Sequence, residues 1–178
     1  MISIDPQKLW YVVRARLDYS AETGVFTWRE KPVANQFDKT WNKRFAGKQA
    51  GALSNDGYIR VSIDGKLHLA QRLAWLYVHG VLPASGVDHK DRDPSNNRMA
   101  NLRVATKAEN GANTALSRRN TSGAKGVRWN RECRKWQATI VVNGKSKHLG
   151  LFDSIDAAKA TYMGAAREIY GQFVEVSQ

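Results

Sequence analysis

The chain has 178 residues, with 28 Lys and Arg against 16 Asp and Glu, a formal net charge of +12. Hydrophobic residues at 42% and aromatics at 10% supply enough apolar surface for one medium core or two small ones, which excludes wholesale disorder. A single cysteine, Cys133, excludes an internal disulfide and a cysteine-rich zinc site. Residues 1–6 lack the basic and apolar regions of a signal peptide, and no apolar run approaches bilayer-spanning length. The expectation is a cytoplasmic protein whose positive field suits a polyanion.

In chain order, Asp5 and Pro6 form an N-cap and first-turn pair, and Leu9, Val13 and Leu17 recur at helical spacing, predicting a helix over 6–18. Residues 24–28 read as a short strand, and residues 30–50, with weak periodicity, as a loop. Tyr58, Val61 and Ile63 lead into Asp64-Gly65, a two-residue hairpin signal, with Lys66–Leu69 as the return strand. Residues 70–79 read as a buried helix stopped by Gly80. Residues 87–89 form a short strand, 91–97 a polar loop and 101–105 a second short strand. Thr106 and Glu109 make a capping box that opens a helix over 107–116.

Residues 117–123 have linker composition. Beyond them lie three strand-like pieces, 125–130, 135–142 and 146–150, with the tightest turn at Asn143-Gly144. Ser154 then caps a helix over 155–170 with Ala158, Tyr162, Ala165 and Ile169 on one face, ended by Gly171. The fold class is α+β, with a unit over 1–116, a basic linker over 117–123 and a unit over 124–178. Charge obeys the same division. Residues 117–150 carry nine basic side chains against Glu132 alone. Trp129 and Trp136 interleave with these charges in strand-like alternation, which points to nucleic acid before a membrane surface.

The chemical residues cluster between 88 and 110. Asp88 and His89 are neighbours on a strand and so point to different sides: Asp88 to hold a metal, His89 to face a water. Asn110, one turn inside the capped helix, offers a second oxygen, with Asn113 as its rival; Asn101 is placed to pin the loop or the His89 ring. Oxygen donors without thiolate suit Mg²⁺ or Mn²⁺ better than Zn²⁺. Two protein ligands leave positions for water and a phosphate oxygen.

Val87-Asp88-His89-Lys90-Asp91, Asn96-Asn97-Arg98, Asn101-Leu102-Arg103, Thr106 and Glu109-Asn110-Gly111-Ala112-Asn113 together resemble the HNH endonucleases of phage and intron-homing type. Thr23-Gly24-Val25-Phe26-Thr27-Trp28, Gly57-Tyr58 and Arg72-Leu73-Ala74 resemble the same enzymes, extending the likeness over about residues 17–113. The resemblance implies a ββα-metal nuclease unit. In it Asp88 and Asn110 bind the metal, His89 is the general base, and Asn101 orients that base and braces the loop. Asp and Asn replace histidine at the first and last positions of the family's name. Lys107 falls where a contact to the scissile phosphate is available, and the implied products carry 5′-phosphate and 3′-hydroxyl ends.

Residues 123–129, 135–140 and 148–153, with the alanine pairs 157–158 and 165–166, resemble the DNA-binding domain of plant ethylene-response factors, the Apetala-two type, over 121–174. That likeness implies a three-stranded antiparallel sheet packed on one helix, with the sheet in the major groove. Lys125, Arg128, Thr139, Val141, Ser146 and His148 then fall at DNA-contacting positions, and Arg118 and Arg119 add charge from the linker. The Arg128 fork suits a guanine edge. The expected function is a site-directed, metal-dependent endonuclease of homing type. It acts on double-stranded DNA, nicking as a monomer, in a bacterial or phage-infected cell. The alternative is a DNA-binding transcriptional regulator with an inactive nuclease unit.

Overall fold

Helix α1 (Pro6–Arg16) begins where the Asp5 carboxylate accepts the Gln7 backbone N–H at 3.0 Å. It stops short of residue 18 because Leu17 is extended and enters β1 (Leu17–Tyr19), which pairs antiparallel with β2 (Phe26–Trp28). The structure is a computed structural model that describes residues 5–174; residues 1–4, part of the segment read as lacking a leader, lie outside the described residues.

The stretch expected as loop contains α2 (Gln36–Phe45). Asn35 caps it by accepting the Asp38 N–H at 3.0 Å, and the Asn42 amide exchanges two hydrogen bonds with the Lys31 backbone. Trp41 stacks edge-on against Trp28 at 5.6 Å. No α2 residue is fully buried, although Phe37, Trp41 and Phe45 recur four apart, a helical signal that the weak-periodicity reading of residues 30–50 passes over.

Strands β3 (Ala52–Leu53), β4 (Ile59–Ile63) and β5 (Lys66–Leu69) form a three-stranded antiparallel sheet in that order. Asp64 and Gly65 turn between the last two with φ of 49° and 73°. Helix α3 (Ala70–His79) comes directly after, its end capped by Gly80 at φ 75°. Val13 and Leu17 pack with Val61, Ile63, Leu73 and Leu76 in the core of this unit, each such burial contributing roughly 1.5–3 kcal/mol. Strands β6 (Gly86–His89) and β7 (Leu102–Ala105) form a separate two-stranded sheet, with a 3₁₀ turn at Met99–Asn101 just before β7.

The chain divides into compact units at 104/105, before helix α4 (Lys107–Asn113) and not at 117–123. The capping box of Thr106 and Glu109 forms, and α4 ends at Asn113 because Thr114 is extended. Ala105 and Ala112 share a core with Val127, Ala138, Ile140 and Ala158. Lys125 Nζ donates to the carbonyls of Gly111, Ala112 and Thr114 at 2.7, 2.9 and 2.6 Å, satisfying the carboxyl end of α4. These contacts assign α4 to the second unit. Part of the 117–123 segment is also tied to that unit, since Ser122 Oγ donates to the Val127 carbonyl at 2.6 Å.

Strands β8 (Val127–Asn130), β9 (Lys135–Val142) and β10 (Lys145–Phe152) form an antiparallel sheet with β9 central, packed on α5 (Ile155–Tyr170). Ala158, Tyr162 and Ala166 are the buried residues of α5, while Ile169, in its last turn, is 36% exposed and Phe173 closes that end of the core. A Cβ on Gly126 would lie 2.2 Å from the Tyr162 ring and 2.4 Å from the Thr139 carbonyl oxygen, so a glycine is needed where α5 meets the sheet. Among the described residues no helix is long and apolar enough to cross a membrane.

Candidate active site and nucleic-acid interface

Strand β6 carries Asp88 and His89, each 5% exposed, into the interior of the first unit. Asp88 Oδ2 accepts from Arg103 Nε at 2.9 Å, across to β7, in a pair whose two side chains are under a tenth exposed. Such a pair fixes the carboxylate's orientation, and breaking it by removing one partner typically costs about 3–5 kcal/mol. His89 faces a different set of groups. Its Nε2 meets Asn97 Oδ1 at 3.2 Å, and its ring lies 6.1 Å from that of Tyr58. Asn97 Nδ2 donates to the Ser95 carbonyl at 3.1 Å, which leaves Oδ1 as the atom turned to histidine. An amide oxygen only accepts, so this contact suits the His89 tautomer that carries its proton on Nε2.

Asn97 is 1% exposed. Its backbone carbonyl accepts from the Tyr19 hydroxyl at 2.7 Å, and burial pushes that phenol up to about 12. A Cβ on Gly24, at φ 75°, would fall 2.4 Å from both the Asn97 carbonyl carbon and the Arg98 nitrogen. The β1–β2 turn therefore presses on the loop that positions the histidine, with glycine at the contact.

Asn101 works on the loop itself. Its Oδ1 accepts the Asp91 N–H at 3.1 Å, and its Nδ2 donates to Asp91 Oδ1 at 2.9 Å and to the Asn96 carbonyl at 2.8 Å. Partial burial pushes the Asp91 carboxyl up. The Asp93 N–H and the Asn101 and Asn96 amides outweigh it, with the nearby His89 charge, and hold it below the usual carboxylate range. Asn97 Oδ1 thus hydrogen-bonds the His89 ring, while Asn101 braces the adjoining loop. Asn97 and Arg103 carry geometry that the motif spelling does not reveal. The only sequence signal for Asn97 is its place in the Asn96-Asn97 doublet.

Asn110 is exposed on α4 in the second unit, Asn113 is 2% exposed three residues further on, and Lys107 is exposed in the first turn. The Asp88 carboxylate in the first unit and the Asn110 amide oxygen in the second are each of the hard oxygen type that divalent cations such as Mg²⁺ take. In that second unit the register of β8, β9 and β10 puts Arg128, Thr139, Val141, Ser146 and His148 on the sheet face turned away from α5. Arg128 donates to Gln137 Oε1 at 3.1 and 3.2 Å, and Gln137 Nε2 meets His148 Nδ1 at 3.2 Å, forming one polar row across three strands. Lys125 is spent on the α4 carbonyls instead, whereas Arg118 and Arg119 are exposed between α4 and β8.

The model of the HNH endonuclease family matches residues 68–112. The chain is 34% identical over 100 residues to Protein 3.8 of Escherichia phage T7, spanning 56% of this chain and 82% of that protein. It is also 34% identical over 123 residues to an uncharacterized HNH endonuclease of Acanthamoeba polyphaga mimivirus, spanning 68% of this chain and 63% of that one. The structure describing DNA binding and cleavage by the HNH homing endonuclease I-HmuI aligns over 86% of this chain and 76% of that chain, with TM-score 0.41 and 23% identity.

Proposed function

Because residues 68–112 match the HNH endonuclease family model and the chain is similar to an HNH endonuclease of mimivirus, we propose that it is a site-directed DNA endonuclease of homing type that nicks double-stranded DNA as a monomer. The observation that carries this reading is the His89–Asn97 hydrogen bond beside the buried Asp88–Arg103 pair. It supports a histidine held in one orientation next to an oriented carboxylate. His89 Nδ1 takes a proton from water, the hydroxide adds to phosphorus, and the bond to the 3′ oxygen breaks, leaving 5′-phosphate and 3′-hydroxyl ends. Asp88 and Asn110 would hold a divalent ion, Mg²⁺ or Mn²⁺, which when bound offsets charge on the phosphorus-centred transition state and the leaving oxygen. Arg103 keeps the Asp88 carboxylate oriented for that task, and Asn101 keeps the loop closed beside it.

The second unit positions the enzyme. Its three-stranded sheet on one helix supports the Apetala-two-type reading, in which the row from Arg128 through His148 faces the major groove, with Arg118, Arg119 and Lys107 as phosphate contacts. The test is nicking of supercoiled plasmid carrying DNA from the surrounding genomic locus, with Mg²⁺, and then end mapping on a denaturing gel. One nick per site with a 5′-phosphate, lost in His89→Ala, is expected. Wild-type protein that binds the plasmid and never relaxes it would leave the regulator reading instead.

A further inference from the structure

Helix α2 is two-faced in an unusual way. With 3.6 residues per turn, Asp38, Trp41, Asn42 and Phe45 fall within an arc of about 100°, and these are the side chains that tie the helix down. Trp41 stacks on Trp28, Phe45 lies 5.3 Å from Trp41, Asn42 holds the Lys31 backbone, and Asp38 accepts the Ala34 N–H. The opposite arc holds Lys39, Lys43, Arg44 and Phe37, all exposed, with Phe37 at 72%. Among the described residues none of the three cations forms an ion pair. Between residues 31 and 48 the sequence has Lys31, Lys39, Lys43, Arg44 and Lys48 against Asp38 alone. Intrinsic propensity alone does not keep so short a helix formed in water; the aromatic and amide anchors do. The fold therefore holds a cationic face outward at a fixed place.

That place is tied to the catalytic loop. Trp28, which seats α2, is the last residue of β2, and Gly24, at the other end of the same hairpin, presses on the backbone of Asn97 and Arg98. Four residues separate the two contacts, about 13 Å of extended chain. The hairpin that seats α2 is thus the same one that packs on the loop carrying Asn97, the hydrogen-bond partner of His89.

We propose that the outer face of α2 (Lys39, Lys43 and Arg44) is a second DNA-binding surface, which grips the phosphate backbone of the duplex being cut. This rests on the nuclease reading above and adds to it an anchor on the catalytic unit, independent of the sheet in the second unit. Charge complementarity commits the occupant to a polyanion, and phosphate contact from long flexible cations makes the grip indifferent to base sequence. The catalytic unit then keeps hold of DNA near the cut without relying on the sheet alone.

The test compares the full-length wild type with the triple variant Lys39→Gln/Lys43→Gln/Arg44→Gln. Both bind a fluorescent 30-base-pair duplex of arbitrary sequence without divalent metal, over a series of salt concentrations. Each phosphate contact contributes about 0.9 to the slope of log affinity against log salt, so the variant's slope is expected to be shallower by about 2–3. Circular dichroism checks that α2 and the rest of the chain remain folded, and the single variant Lys43→Gln, with an expected change of about 0.9, covers the case where the triple does not fold. A wild type that binds with a steep slope, matched within error by folded variants, overturns the α2 surface and leaves the nuclease reading standing. A wild type that binds no duplex at all overturns both.

Discussion

Asn97→Leu separates the positioning of the general base from every other role in the site. Leucine keeps the volume and removes the acceptor that faces His89 Nε2 at 3.2 Å. The imidazole N–H then loses its partner in a site where Asn97 is 1% and His89 5% exposed, a cost of roughly 1–3 kcal/mol. Loss of the bond to the Ser95 carbonyl adds about 0.5–1.5 kcal/mol, so the variant should be less stable by about 1.5–4.5 kcal/mol. The same 1–3 kcal/mol is what biases the ring toward the tautomer with its lone pair on Nδ1. At one decade per 1.36 kcal/mol, its loss lowers kcat by about 5- to 150-fold. KM should stay near the wild-type value, because a side chain this buried cannot touch substrate. Asn97→Asp, which keeps an oxygen at the same place, should recover much of the rate. The assay is plasmid nicking at saturating enzyme, alongside a thermal melt, at a temperature where all three proteins are folded. A folded Asn97→Leu protein with kcat within twofold of wild type would refute the positioning role.

Gly24→Ala should cost about 2–4 kcal/mol, because it combines left-handed strain with a Cβ driven into the Asn97–Arg98 backbone; a chemical-denaturation midpoint unchanged from wild type would contradict that contact. Asp88→Asn keeps an oxygen for Arg103 and weakens the cation site, so duplex binding should persist while nicking falls at least 100-fold; retained nicking would remove Asp88 from the metal site. Lys125→Met should lower the melting temperature, since the Gly111, Ala112 and Thr114 carbonyls lose the Lys125 ammonium; a change in DNA affinity alone, with stability intact, would make it a DNA contact instead. Stability should also depend on pH at both ends. Asp91 is held below its ordinary range, so its contribution is complete above the usual carboxylate pKa and lost as pH falls through the lowered one. Tyr19 is pushed up to about 12, so its contribution is complete below about 10 and lost as pH rises through 12. Asp91→Asn and Tyr19→Phe should flatten the acid and alkaline limbs respectively in a melt series against pH.

Local signals carry much of the fold. The Asp5 cap, the Asp64-Gly65 turn, the Thr106–Glu109 capping box and the Ser154 cap all form where their residues stand. Each depends on hydrogen bonds or dihedral preferences between residues a few positions apart, and such interactions are written in the sequence itself. Helix α2 offers one local signal, the four-residue spacing of Phe37, Trp41 and Phe45, and is harder to read for the converse reason. Its stability comes from Trp41 meeting Trp28, thirteen positions away, and no stripe of buried residues marks it. The division of the chain is hidden similarly. Residues 117–123 have the composition of a linker, yet α4 belongs to the second unit, because Ala112 packs in that unit's core and Lys125 holds the α4 carbonyls.

The sequence by itself determined the inventory of the site: a carboxylate and an imidazole side by side on a strand, an asparagine twelve residues after the histidine, and a capped helix beyond. Strand alternation likewise put Thr139 and Val141 on one side of β9, because a period of two needs no knowledge of the partner strands, whereas only the register with β8 adds Arg128 to that face. What only the tertiary structure decided is who holds whom. Asn97 meets the His89 ring; Arg103 clamps Asp88; Gly24 and Tyr19 press on the loop from a hairpin more than seventy residues earlier. These contacts depend on hydrogen-bond geometry and burial between distant segments, which spacing along the chain cannot encode. A residue's chemistry can be read from its letter, but its orientation is set by the neighbours that folding brings to it.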